Sequence, residues 1–240
     1  MILRMVRTLL AFAAVIGMGT PAGLIFIPWY LVTGNLMPLY RAAVVVVKTA
    51  LWLAGIRVHV EGRENIPAGK ACIFLSNHVS NLDPPVLIPL IPKRTSAFVK
   101  KGLMKLPLLG YALKLAKFVP VGRDGNVQGA QESVRQAREV LDLGIHIITF
   151  VEGTRSRTGK LLPFKKGPFF LAQETGAPCV PVSIWGTETM MAKGSFWLHP
   201  GTAEVRFHKP VLPGECADRE EMMAEVRVRI AGALPEWMRG

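Results

Sequence analysis

No aspartate or glutamate precedes Glu61, and none lies between Pro84 and Arg123. The chain carries 29 Lys and Arg against 17 Asp and Glu, a formal charge of +12, and within those two stretches every charged residue is basic. Lys93, Arg94, Lys100, Lys101, Lys105, Lys114, Lys117 and Arg123 form a run that suits nucleic acid, an anionic membrane surface or a phosphorylated substrate. Aromatic residues interleaved with basic ones, the pattern of RNA-binding modules, are missing, which argues against nucleic acid and for lipid. Cysteine is scarce. Cys72, Cys179 and Cys216 are odd in number and lack metal-ligand spacing, so they read as buried thiols of a reducing compartment.

Several catalytic signatures are absent too. No Gly-x-Ser-x-Gly elbow occurs, which argues against a serine hydrolase with an acyl-enzyme intermediate. The stretch from Gly153 to Lys160 resembles a phosphate-binding loop, but its spacing is one residue too long and Leu161 stands where Ser or Thr is required. Zinc and dinucleotide fingerprints and repeats of solenoid length are missing. No metal site and no cofactor is therefore expected. His59, His146, His199 and His208 fall within strand patterns or near turns and read as packing or surface residues.

What is present begins with an apolar N-terminus. After Arg4 and Arg7 no charge appears until Arg41, and Leu9 to Val32 is long enough for a helix that crosses the hydrocarbon core, which needs ~20 residues. Ala42 to Ile56 is a second, shorter apolar stretch interrupted by Lys48, and Thr33 to Pro38 reads as a turn between the two. A membrane-associated helical hairpin over residues 1–56 is predicted, with Trp29, Tyr30, Tyr40 and Trp52 at the interface. Basic residues flank both of its ends and none lies in its turn, which places the following domain, residues 57–240, on the cytoplasmic side of the membrane.

From Arg57 short β-branched runs alternate with amphipathic stretches, predicting an α/β domain with a mixed, largely parallel sheet flanked by helices. Strands are expected at 58–60, 71–75, 96–99, 118–121, 145–151, 179–184 and 203–207. Helices are expected over 126–143, 164–174 and 219–234, the last as a surface helix. Asp83, followed by Pro84 and Pro85, is expected to cap a further helix.

Two constellations carry chemistry. His78 and Asp83 form a His-x4-Asp element on a strand-to-helix turn, where an imidazole can take a proton while the carboxylate fixes its tautomer. Glu152, Gly153, Thr154, Arg155 and Ser156 follow the 145–151 strand, and Arg123 ends the 118–121 strand. Both groups are thus expected at the sheet edge where α/β proteins bind ligands. Arginine's donor fork matches a phosphate.

Asn77-His78 with Asp83, the Arg123 strand end, the Glu152 to Ser156 run and Val180-Pro181-Val182 occur in the order and spacing of the four motifs of the glycerolipid acyltransferases. Over residues 57–210 the chain resembles that family, in particular its bacterial 1-acyl-sn-glycerol-3-phosphate acyltransferases. The second motif departs from the pattern Gly-x-x-Phe-x-x-Arg, with Lys117 and Pro120 in the Gly and Phe places. The resemblance implies that His78, oriented by Asp83, deprotonates the hydroxyl of lysophosphatidic acid for attack on an acyl-carrier-protein or coenzyme A thioester. It further implies that Arg123, Arg155 and Lys100 hold the acceptor phosphate. Asn77, Glu152, Gly153, Thr154 and Ser156 would shape the loops, and Pro181 would support the donor side. Amides at the helix starting near Pro84 are expected as oxyanion donors. Two other readings fit parts of the sequence: a sibling enzyme acting on a lyso-ornithine lipid or glycerol 3-phosphate, and a non-catalytic module docking anionic lipid.

Overall fold

The computed structural model describes residues 2–106, 109–122, 127–191 and 194–240. Two helices lead: α1, Ile2–Thr33, and α2, Met37–Leu53. The α/β region then runs β1 (Ile56–Glu61), β2 (Ile73–Ser76), α3 (Asp83–Leu87), β3 (Thr95–Lys100), α4 (Leu109–Leu115), β4 (Val119–Val121), α5 (Val127–Asp142), β5 (His146–Phe150), α6 (Gly167–Thr175), β6 (Cys179–Trp185), α7 (Thr187–Met190), β7 (Gly201–Phe207) and α8 (Arg219–Ala233).

The strands form one sheet in the order β1-β7-β6-β2-β5-β3-β4. From β6 to β4 every pairing is parallel, whereas β7 runs antiparallel to β6 and β1 parallel to β7. All seven expected strands are present, and the sheet is mixed and largely parallel as the sequence predicts.

The central strand β2 is buried on both faces, so it reads as a continuous apolar run rather than an alternating one. Its side chains still divide with period two. Ile73 and Leu75 enter a core beneath α5, α6 and α8, while Phe74 enters a second core shared with α2, α3 and α7. On the first face α8 is the amphipathic surface helix that the sequence predicts, with Met222, Val226 and Ile230 fully buried. Its many charges occupy the opposite side, and each buried residue contributes ~1.5–3 kcal/mol.

The hairpin lies along the second face. Leu51 and Ala54 of its second helix join the core there. The start of α1 is seated on the loop before β7: the Leu198 N–H donates to Thr8 Oγ1 at 3.0 Å, Arg4 meets His199 at 3.1 Å and stacks over Trp197, and Ala11 is buried. At the turn end, Tyr30 and Tyr40 lie within electrostatic reach of Arg94, which precedes β3. The start of α1 is thus bonded to the α/β domain, while the turn end lies near it. Its outer surface exposes Leu9, Phe12, Ile16, Leu24, Ile25 and Trp29, among others, and α1 is long and apolar enough to cross a membrane by length and composition.

Candidate active site

Parallel strands present their C-terminal ends on one edge, and His78 follows β2 on that edge. Asn77, fully buried, continues the ladder past the end of β2 with its side chain. Its Nδ2 donates to the Ile184 carbonyl at 2.8 Å, and the Ile184 N–H donates to its Oδ1 at 2.9 Å. The backbone then turns, and His78 Nδ1 lies 2.7 Å from Oδ2 of Asp83. The same oxygen accepts the N–H groups of Val79 and Ser80 at 2.8 and 2.9 Å.

Asp83 is completely buried, so the acceptor role of its carboxylate assigns the proton to Nδ1 and leaves Nε2 with a lone pair. No partner for Nε2 is present among the described residues, and the side chain keeps 16% of its surface exposed. The ring stacks on Phe150 with centroids 3.9 Å apart, which fixes its plane. A held imidazole with one free basic nitrogen on an accessible edge is equipped for proton abstraction.

Asp83 is not the cap of α3, as the sequence suggested, but its first residue. The N-cap position belongs to Leu82, without a side-chain bond. Two prolines explain the difference: they remove two of the N–H groups a cap would serve, so the carboxylate is free to turn back to the preceding loop. They also overturn the expected oxyanion donors. The Asp83 N–H bonds the Ser80 carbonyl, Pro84 and Pro85 have none, and the Val86 N–H bonds Leu82.

The loop after β5 lies beside the His78 loop because β5 pairs with β2. Gly153 has φ +67°, a left-handed conformation that lets the chain turn at the strand end. Glu152 is buried, and its two oxygens accept from the His78 N–H at 2.8 Å and the Leu162 N–H at 2.9 Å. Burial pushes its carboxyl up to about 7, against the lowering effect of those two amides. Ser156 is buried, and its N–H donates to the His78 carbonyl at 2.9 Å. Thr154 is exposed. Arg155 is half-buried and has no carboxylate partner among the described residues.

Lys100 ends β3 on the same edge, exposed and unpaired among the described residues. Arg123, two residues beyond the end of β4, lies outside the described residues, as do Pro107 and Leu108. The departure at Lys117 has a physical trace: its φ is +61°, the conformation a glycine would adopt without strain.

Pro181 is a correction. It sits buried within β6, in register with Leu75, and not at the edge. Its carbonyl accepts the His208 N–H just where β7 ends, so the missing proline N–H falls where the antiparallel ladder stops. Sequence reading also missed Thr187, whose hydroxyl reaches Asp83 across 104 positions. No local signal marks it; only the adjacency of β6 and β2 brings it in.

A model of the acyltransferase family matches residues 57–185. Curated relatives named 1-acyl-sn-glycerol-3-phosphate acyltransferase include one from Limnanthes douglasii, 32% identical over 208 residues that span 85% of this chain and 73% of that protein. Another, from Borreliella burgdorferi, is 29% identical over 78% of this chain and 76% of its own. Among solved structures, the 1-acyl-sn-glycerophosphate (LPA) acyltransferase PlsC of Thermotoga maritima matches with a TM-score of 0.79 at 28% identity, covering 97% of this chain and 96% of that one.

Proposed function

Because the chain belongs to the acyltransferase family, we propose that it moves a fatty acyl group from an acyl thioester to the free hydroxyl of 1-acyl-sn-glycerol 3-phosphate, giving phosphatidic acid. The observation that carries this reading is the His78–Asp83 pair at 2.7 Å, its imidazole partly exposed on the C-terminal sheet edge.

Nε2 takes the hydroxyl proton as the oxygen attacks the thioester carbonyl. The imidazolium, held by Asp83, returns that proton to the thiolate as the carbon–sulfur bond breaks. Thioester activation supplies the driving force, so no covalent enzyme intermediate and no cofactor is needed. General-base action contributes typically 10²–10⁴-fold, which leaves much of the acceleration to positioning. Arg155 and Lys100, with Arg123, hold the acceptor phosphate, and the lack of carboxylate partners at the first two leaves their charge available. Glu152 and Asn77 act on the loops and not on the substrate. The donor is acyl carrier protein or coenzyme A, and the run of lysines around β3 suits the acidic carrier.

Membrane placement follows from the hairpin. The start of α1 is hydrogen-bonded to the α/β domain and Tyr30 near its other end lies within electrostatic reach of Arg94, so the helix enters the cytoplasmic leaflet of the inner membrane lying along its surface, with the domain on the cytoplasmic side. A site at that surface spares the lysolipid the transfer of its chain into water, ~0.8 kcal/mol per methylene.

Acyl transfer from labelled acyl-coenzyme A and acyl carrier protein to 1-acyl-sn-glycerol 3-phosphate in detergent micelles tests the reading. Wild type should form phosphatidic acid and His78→Ala should lose at least 10²-fold in kcat. Absence of product from both donors with folded wild type would overturn it.

A further inference from the structure

Oδ2 of Asp83 meets three donors, whereas Oδ1 meets one: the hydroxyl of Thr187, at 2.5 Å. Both residues are completely buried. A carboxylate oxygen shut away from water needs a donor, and none but Thr187 is present at Oδ1 among the described residues. We propose that Thr187 is a positioning residue for the His78–Asp83 pair, acting through Asp83 and never touching substrate.

Delivery of that hydroxyl is built into the turn after β6. Gly186 has φ +87°, and a Cβ there would sit 2.5 Å from the Thr202 carbonyl oxygen. Only glycine makes this turn, and it sets Thr187 at the start of α7, facing the neighbouring β2 loop. With Oδ1 held by the hydroxyl, the carboxylate plane is fixed and Oδ2 stays aligned on Nδ1, which keeps the lone pair on Nε2. The other titratable groups facing Asp83 are His78, Glu152 from the loop after β5, and Glu188 from α7. Among the described residues no cation besides a protonated His78 bonds the carboxylate, so the neutral donor at Oδ1 carries the task of stabilising its charge.

The inference rests on His78 being the general base. It is tested by comparing wild type, Thr187→Val, Thr187→Ser and His78→Ala in the micellar assay with acyl-coenzyme A, between about pH 5.5 and 9, where an imidazole base titrates. Thr187→Val should lower kcat about 10- to 100-fold, the effect of losing one hydrogen bond to a buried charge, with KM for both substrates within about twofold. Without its donor at Oδ1 the carboxylate plane is no longer fixed and Oδ2 loses its alignment on Nδ1, so the imidazolium is held less tightly and the acid limb of the kcat/KM profile should move to lower pH. Thr187→Ser should restore both. In ¹⁵N-histidine spectra the Nδ1 proton of His78 should resonate far downfield in wild type and Thr187→Ser and move upfield in Thr187→Val.

A Thr187→Val protein with wild-type kcat and an unmoved acid limb overturns the proposal. So does a loss of kcat that Thr187→Ser fails to restore, or a fall in thermal stability with the pH profile and the proton resonance unchanged. Wild-type rates in His78→Ala would instead remove the general-base reading, and this inference with it.

Discussion

Oε1 of Glu152 accepts the backbone N–H of His78 at 2.8 Å, while its other oxygen accepts that of Leu162. One buried side chain therefore ties the loop after β2 to the loop after β5. Glu152→Gln keeps one acceptor but turns an NH2 group toward the other amide. We expect kcat/KM to fall on the order of 10-fold and thermal stability by roughly 1–3 kcal/mol, read from micellar kinetics and thermal melts.

The same residue gives a stability prediction in pH. Burial first, and then the charge of Asp83, push the Glu152 carboxyl up to about 7 from its usual 4.5, with the two amides and Arg227 opposing. Between those values the folded protein keeps a proton that the unfolded chain has released. The contribution is thus fully present below about pH 4.5 and is lost as pH rises through 7. His146 and His208, lowered by burial to about 4, act in the opposite sense below their usual 6.5 but are common to both proteins. The difference in Tm between wild type and Glu152→Gln should therefore be larger at about pH 5 than at about pH 8. An equal difference at both would show that the carboxyl does not titrate in this window.

If the proposed function holds, Arg155 and Lys100 divide the task of phosphate recognition unequally. A guanidinium offers two parallel donors and an exposed ammonium only a point charge. Arg155→Ala should raise KM for 1-acyl-sn-glycerol 3-phosphate by about 10- to 100-fold with kcat little changed, and Lys100→Ala by only a few-fold. A 1-acylglycerol acceptor without phosphate should be indifferent to both. Unchanged KM in both variants would point to an acceptor of another headgroup.

Lys117 shows how a departure from a family pattern is accommodated. Its left-handed backbone presents the Lys117 carbonyl to Ser96 Oγ at 2.6 Å, tying the approach to β4 against β3. A side chain in that conformation costs about 1–2 kcal/mol. Lys117→Gly should keep the turn and stabilise the protein by about 1 kcal/mol after the entropy that glycine loses on folding, a Tm rise of roughly 2–4 °C. A fall in Tm would mean that the Lys117 side chain makes a compensating contact.

The strands and the His78–Asp83 element were legible because each is local. β-branched runs bounded by turn residues mark strands, and a base five positions from an acid needs one turn to meet it. The failures are non-local or depend on a competing partner. Asp83 was expected to cap a helix because its sequence neighbours are those of a cap, yet three loop donors and Thr187 claim its carboxylate. Pro181 was drawn to the site by its motif, whereas register places it four residues before the end of β6. Thr187 carries no signature at all, since its role depends on which strand lies beside β2.

Two tryptophans decide how the hairpin meets the bilayer. Trp29 lies near the turn end of α1 and Trp52 at the far end of α2, 50% and 75% exposed. At 1.5 Å per residue, an upright hairpin would separate them by roughly 20 Å along the membrane normal. A hairpin lying along the domain face keeps them at similar depth, within about one helix diameter of ~10 Å. Variants retaining only Trp29 or only Trp52, bound to anionic vesicles containing lipids brominated at different chain positions, report each depth by quenching. We expect both to be quenched most by bromines near the headgroup, with matching depths. Strong quenching of Trp29 at the bilayer centre beside shallow quenching of Trp52 would instead establish an upright helix.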